Sequence, residues 1–317
     1  MVAIGFAAQG VARVRLSVSC LWEVVAGLRV RRGGEGRVLH APWLARTAGP
    51  PADSLLWQLV PAAPHYIPDF LTPPPPAPDL TAELAVLTAT PPELVREHLA
   101  LSGIPATPEI QALHEDPAAG LTRLAAEITG YWQRALAPDW PRIRALLDRE
   151  VFRGARVLAE QGTGALLNDL HESVRWDGAA LTVANNHCQA PNVTDGPGLV
   201  LIPSVFVWPS VLSISAGEAP QLAYPARGVA ALWENPSGPT ENLGAVLGRS
   251  RARLLTEMTA PTSTTELARR TGMSAGAVSQ HLNALRGAGL VASHRVGKGV
   301  LSARTALAEA LLGGGAG

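Results

Sequence analysis

The run from Ser263 to Arg304 constrains the chain more than any other, because helix start and stop signals fall in it at short, regular offsets. Ser263-x-x-Glu266 is a capping box: a hydroxyl for the unpaired amides of a helix start, with an acidic residue three positions on. TTELARRT then reads as a helix, and Gly272 stands where that helix must stop in a left-handed cap. Ser274 caps the next helix, AGAVSQHLNALRGAG, which ends near Gly289. Two helices joined by a short glycine-containing turn predict a helix–turn–helix. Upstream, Val246 to Met258 reads as one basic amphipathic helix with Leu247, Leu254, Leu255 and Met258 on its apolar stripe. Downstream, Leu290–Arg295 and Val300–Arg304 read as strands joined by Val-Gly-Lys-Gly, a wing with Arg295 and Lys298 at its tip.

In the second helix of the pair, Val278, Leu282 and Leu285 recur at i, i+4, i+7 and must be buried. At about 100° per residue, the opposite face carries Gly276, Gln280, Asn283 and Gly287, with Ser279 beside it. Glutamine and asparagine amides match the donor–acceptor pattern of an adenine edge in the major groove of double-stranded DNA. Small residues at Ala275 and Gly276 permit close approach, and the first amides of the helix favour a phosphate. The candidates for base contact are therefore Gly276, Ser279, Gln280 and Asn283. Those for phosphate contact are Ser274, Arg249, Arg251, Arg253, Arg269, Arg295 and Lys298. The plainer alternative for Gln280 and Asn283 is a pair of solvated helix residues. His281, at the edge of the buried face, reads as a packed histidine rather than a ligand.

Charge is distributed to suit this reading. The formal net charge is zero, but Glu241 to Gly317 holds nine basic and four acidic residues, a surplus of +5. The other 240 residues hold 17 basic against 22 acidic and carry −5. A basic module on a mildly acidic one fits a polyanion-binding domain joined to a domain of another kind.

The run TTELARRTGMSAGAVSQHLNALRGAGLVASHRVGKGVL resembles the ArsR-type winged helix–turn–helix family. The resemblance rests on Ser274, Val278-Ser279-Gln280-His281-Leu282, Leu285-Arg286, Ala288-Gly289-Leu290-Val291 and the Arg295-x-Gly297-Lys298 wing. It implies a bacterial repressor that binds operator DNA as a homodimer and is released by an effector. Two features depart from the family. Metal-sensing members often carry cysteines on the helix before the turn, and TSTTELARRT has none. The tyrosine near the end of the wing is replaced around Leu301-Ser302. The resemblance thus implies DNA binding without metal sensing at the usual site.

Upstream of this module the chain reads as α+β. Val11 to Val18 alternates like a strand, and Cys20 to Val30 is an apolar segment of helical character. Four consecutive prolines, Pro73 to Pro76, read as an extended connector. From Thr81 to about His171 the period is helical, with one stripe on Leu121, Leu124, Ala125, Ile128 and Trp132 and another on Ile143, Leu146, Leu147 and Val151. After Glu172 the period becomes two. Asp177-Gly178 between two strand-like runs predicts a hairpin. Leu199–Ile202, Val205–Trp208, Val211–Ser215 and Gln221–Tyr224 read as further strands. The uncharged stretch Gly196 to Gly217 is divided by Pro197, Pro203 and Pro209, so strands explain it better than a membrane helix. Pro236 to Thr240 marks a boundary. The expected organisation is a mixed helix and sheet domain at 1–238 and a winged helix–turn–helix domain at 239–317. Segments LWEVVAGLRV, YIPDFLTPPP, YWQRALAPDWPRIRALL, VLIPSVFVWP and YPARGVAALWE resemble a domain commonly joined to such modules in regulators of high-GC bacteria. That resemblance implies a regulatory context and no particular ligand.

The first domain offers little catalytic chemistry. Gly162–Leu166 is poor in glycine for a phosphate cradle and lacks the lysine that should follow. Within this domain neither Gly-x-Ser-x-Gly nor His-Glu-x-x-His occurs. Asn185-Asn186-His187-Cys188 is the most chemically loaded cluster, but neighbours on a strand point to opposite faces and would chelate poorly. His98, His114 and His171 read as solvated. Two cysteines, Cys20 and Cys188, fit a reducing cytoplasm, and MVAIGFAAQG lacks the basic start of a signal peptide. All eight tryptophans precede residue 234; most should be core, and some are expected to line an apolar pocket. The expectation is a cytoplasmic regulator with no enzymatic activity, metal or cofactor, whose first domain dimerises, senses a small-molecule effector, or both. The alternatives are an enzyme, or a protein-interaction domain, carrying a DNA-binding module.

Overall fold

The computed structural model describes residues 2–5, 14–33, 35–62, 66–178, 180–184, 198–214, 220–233, 239–296 and 299–313. They form two compact units, Met1–Trp233 and Glu234–Gly317. Both combine helices with sheet, and the helix–turn–helix lies in the second. Among the described residues no helix is long and apolar enough to cross a membrane.

Unit 1 begins with strands β1 (Val2–Gly5) and β2 (Arg15–Leu16). Among the described residues nine α-helices follow: α1 (Cys20–Arg31), α2 (Ala41–Arg46), α3 (Leu55–Leu59), α4 (Leu80–Thr88), α5 (Pro92–Ser102), α6 (Pro108–Glu115), α7 (Pro117–Ala135), α8 (Trp140–Gln161) and α9 (Thr163–Asn168). Prolines open α5, α6 and α7, where a missing N–H costs nothing and a fixed φ suits the first turn. Strands β3 (Val174–Trp176), β4 (Ala180–Val183), β5 (Val200–Ser204), β6 (Leu212–Ile214) and β7 (Gln221–Pro225) complete the unit. One sheet has the order β2-β5-β7-β6, parallel at its first two pairings and antiparallel at the last. The other is antiparallel, in the order β1-β4-β3. Buried throughout, β5 reads as the continuous apolar run that a parallel central strand requires.

Helix α1 is buried almost all round. Ser19 caps it through its hydroxyl, which accepts from Trp22 N–H at 3.1 Å. Its first amides are closed by a carboxylate from another helix: Glu83 of α4 accepts from Cys20 N–H at 2.7 Å, Leu21 N–H at 3.1 Å and the Ser19 hydroxyl at 2.6 Å. A negative group at a helix N-terminus also complements its dipole. From the same helix, Trp22 donates its indole N–H to the Gln221 amide oxygen at 3.0 Å, and Gln221 donates to Thr72 C=O at 2.7 Å.

Four expectations for unit 1 change. Val205–Trp208 is not a strand. Its amides are captured by side chains: Glu23 accepts from Val205 N–H, and the Ser204 hydroxyl accepts from Phe206 N–H and Val207 N–H at 3.2 Å each. A segment whose donors are taken this way has none to offer a ladder. The hairpin exists, but its turn is centred one residue later. Asp177 N–H bonds Ala180 C=O, the Asp177 carboxylate accepts from Ala180 N–H, and Gly178, at φ +103°, takes the first turn position. His98 is buried rather than solvated, and its Nδ1 accepts from Phe70 N–H at 3.3 Å. The Val11 to Val18 alternation survives as a strand only at Arg15–Leu16 among the described residues, and 185–188 lie outside them.

Unit 2 comprises α10 (Pro239–Leu247), α11 (Arg249–Glu257), β8 (Thr262–Ser263), α12 (Thr264–Thr271), α13 (Ala275–Gly287), β9 (Val291–Val296), β10 (Gly299–Arg304) and α14 (Ala306–Gly313). The strands pair antiparallel in the order β8-β10-β9. The single helix expected over Val246–Met258 is two helices, broken at Gly248 with φ +87°. A left-handed residue cannot continue an α-helix, and glycine adopts that conformation at least cost. Leu254, Leu255, Met258, Leu267, Val278, Leu282, Leu285 and Leu290 form the core.

Candidate nucleic-acid interface

The local chemistry of the sequence places α12 and α13. The Ser263 hydroxyl accepts from Glu266 N–H at 3.2 Å, and the Ser274 hydroxyl accepts from Ala277 N–H at 3.2 Å. Between them Gly272 turns the chain at φ +69°. Each cap fixes a helix start to within a residue, so the phase of α13 is set by Ser274 and by burial of Val278, Leu282 and Leu285.

That phase brings Gly276, Ser279, Gln280 and Asn283 together on one exposed face. Gly276 is informative. A methyl group built there would meet nothing within 4 Å, and the backbone is ordinary helix, so the fold itself does not require glycine. Glycine in a helix interior costs roughly 0.5–1 kcal/mol against alanine. Its benefit is a backbone that another molecule can approach closely. His281 is half-buried at the edge of the core face, as its position in the helix requires.

The structure also shows a residue that sequence reasoning passed over. Arg286, one turn beyond Asn283, donates to the Asn283 amide oxygen at 2.7 Å and to the Ser293 hydroxyl at 2.7 and 3.2 Å. It ties α13 to β9 and orients the asparagine. With its oxygen engaged, Asn283 presents its NH2 as a donor, which suits purine N7 or O6 acceptors. The i, i+3 spacing of Asn283 and Arg286 was the available signal.

Of the predicted phosphate ligands, Ser274 has its hydroxyl engaged by Ala277 N–H, and the basic residues fall into three groups. Arg249 and Arg253 are exposed, one turn apart on the same side of α11, opposite Leu254 and Leu255. Arg251 is exposed on the first turn but donates back to Leu247 C=O at 3.2 Å, the open end of α10. Arg269 is exposed but engaged: Glu266 holds it at 2.6 and 2.9 Å, and Arg270 at 2.8 Å. Hydrogen bonds from Arg269 and then Arg270 keep the Glu266 carboxyl down at about 2. On the wing, Arg295 stands opposite Val300 in the β9–β10 ladder, while Lys298 lies outside the described residues. Among the described residues no group of three or more His, Cys, Asp and Glu side chains is placed to hold a metal ion.

Residues 253–293 match the model of the family described as bacterial regulatory protein, arsR family. The matched stretch takes in the second half of α11, the whole of α12 and α13, and the start of β9. Comparison of the chain with curated proteins and with solved structures gave no match. The second unit therefore carries an ArsR-type helix–turn–helix, the DNA-binding element of a transcriptional regulator.

Proposed function

We propose that the chain is a repressor that reads a two-fold operator as a homodimer, with α13 in the major groove and unit 1 controlling release. The observation that carries this is the exposed face of Gly276, Ser279, Gln280 and Asn283, on a helix whose opposite face is locked into the core. Arg249 and Arg253 supply phosphate contacts that fix register, and Arg295 and Lys298 of the wing add to them. A two-fold operator matches a two-fold protein. An apolar surface for a second copy is available on α10 and α14, where Val246 is 82% exposed, Leu307 55% and Leu311 44%. Side chains of this type, left in water on two helices that pack together, are ordinarily covered by a partner. We read unit 1 as a control domain and not an enzyme, because Glu23, Glu83 and His98 are spent on backbone amides and His40 Nδ1 on an indole N–H.

The test is binding of the purified protein to fragments of its own upstream DNA, with competitor DNA present and over a salt series. A specific complex at a two-fold site, weakening linearly in log–log form with salt, is expected. Equal affinity for all fragments would refute operator reading.

A further inference from the structure

Unit 1 contains a cavity of about 690 Å³, within the size range that encloses small organic ligands. Val30, Phe206, Trp208 and Leu212 give it apolar walls, and Arg29 gives it a cation. Trp208 sets it apart from an ordinary crevice. The three residues before it are buried, yet Trp208 itself is 47% exposed. The segment is not loosely held: Glu23 and the Ser204 hydroxyl bind the three preceding amides. A hydrogen-bonded backbone thus presents a large aromatic surface to an open space that none of the described residues fills. An indole covered by a partner ring gains both apolar area and stacking.

Charge narrows the class. Arg29, half-buried on the last turn of α1, faces the same cavity as the exposed Glu172. Arg29 also has an interaction within the protein, but a guanidinium carries five N–H donors and can serve a ligand as well. The cation is thus the less exposed charge of the two, and the one better shielded from water.

The cavity wall also touches the end of the unit. Phe206 lies 4.8 Å from the His40 ring and 6.0 Å from Trp233, centre to centre. Trp233 donates its indole N–H to His40 Nδ1 at 2.9 Å, and it is the last residue before the chain passes to unit 2. We propose that this cavity is the effector site, and that it takes a planar multi-ring aromatic carboxylate, with its ring on Trp208 and its carboxylate at Arg29. The Phe206–His40–Trp233 cluster connects the occupied site to the point where the chain leaves the unit. The effector role rests on the regulator reading above; the ligand site does not.

Three probes of one shape decide it on the full chain: 2-naphthoate, the neutral 2-naphthamide and the cationic 2-naphthylmethylamine, each titrated by calorimetry. The naphthoate should bind at least about tenfold more tightly than the other two, the order expected of one charge-assisted contact. Arg29→Gln should abolish that preference, and Arg29→Lys should restore part of it. Trp208→Ala, a change at an exposed side chain, should weaken naphthoate about tenfold or more with the circular dichroism unchanged. Equal affinity for all three probes overturns the proposal, as does binding that neither substitution alters. Absence of naphthoate binding in a protein that binds its operator overturns the site and leaves the regulator standing. Naphthoate binding that depends on Arg29 and Trp208, in a protein with no operator, upholds the site and overturns the regulator. Trp233→Phe should keep naphthoate affinity and lose its effect on operator binding.

Discussion

In unit 1, Glu23 and Glu83 are fully buried and hold backbone amides. In unit 2, Gln280 and Asn283 stand on an exposed helix face whose backbone amides are already paired along α13. The first unit uses polar chemistry to complete its own fold: two carboxylates, a histidine against Phe70 N–H and a glutamine bridging Trp22 to Thr72. The second completes its fold with leucines, a valine and two serine caps, which leaves Gln280 and the Asn283 NH2 facing outward for another molecule. The contrast separates what substitutions should do. Polar changes in unit 1 should cost stability, and polar changes on α13 should cost recognition.

The largest effect is expected from Glu83→Ala. It strands the Ser19 hydroxyl and the Cys20 and Leu21 amides in a buried place, and should destabilise unit 1 by about 3–5 kcal/mol. Every tryptophan lies in unit 1, so urea unfolding followed by tryptophan emission reports on that unit alone. An unchanged midpoint would break the comparison at its strongest point.

A pH experiment sharpens it. Burial pushes the Glu23 carboxyl up to about 8, against the hydrogen bonds from Ser204, Val205 and Phe206. A carboxyl raised in the folded state gives stability that is complete below its unfolded value near 4.5 and is lost as pH rises through about 8. Burial has the opposite consequence for His40, lowered to about 4: its contribution is present above about 6.5 and lost as pH falls. The difference between wild type and Glu23→Gln isolates the carboxyl. Wild type should lose on the order of 3 kcal/mol relative to the variant between pH 5 and pH 8.5. A constant difference in urea titrations at the two pH values would show that Glu23 ionises as readily folded as unfolded.

The same contrast explains what the sequence could disclose. Unit 2 was legible because its determinants are local. Ser263, Gly272 and Ser274 each act within three residues of their own position, and Val278, Leu282 and Leu285 show the period of the helix they stabilise. The break at Gly248 was missed because a glycine inside an apolar-periodic run does not reveal the sign of its φ. Unit 1 was legible in its helical and two-residue periods and illegible in its connections. Glu83 meets Ser19 across 64 positions, and Glu23 meets Val205 across 182, so nothing near either glutamate reveals its partner. Val205–Trp208 has the composition of a strand and lost that conformation to the distant Glu23 carboxyl and to the neighbouring Ser204 hydroxyl. The interface lay between the two cases. Its exposed face followed from phase, whereas the orientation of Asn283 by Arg286 required the position of Ser293 on β9.

On the exposed side, Gln280→Ala and Asn283→Ala should each lose about 1–3 kcal/mol on the preferred operator and nearly nothing on unrelated DNA. Neither should move the tryptophan-detected unfolding. Competition binding against single-base variants of the site measures the effect position by position. Unchanged preference in both variants would mean that the face is solvated surface. Arg286→Ala should reproduce part of the Asn283 effect without touching DNA itself, because it frees the amide that Arg286 holds.

The smallest effect is the most discriminating, because its two readouts should move in opposite directions. Gly276→Ala adds a methyl group to a position with open space around it and ordinary helical backbone. Alanine is the better helix former, so unit 2 should gain roughly 0.5–1 kcal/mol, measured by far-ultraviolet circular dichroism during unfolding. If the glycine is there so that DNA can approach the start of α13, operator affinity should fall by a comparable amount while the protein becomes more stable. A purely structural glycine would show the stability gain alone. Loss of both stability and affinity would mean that the space beside Gly276 is filled by the protein's own chain, and the face would have to be reassigned.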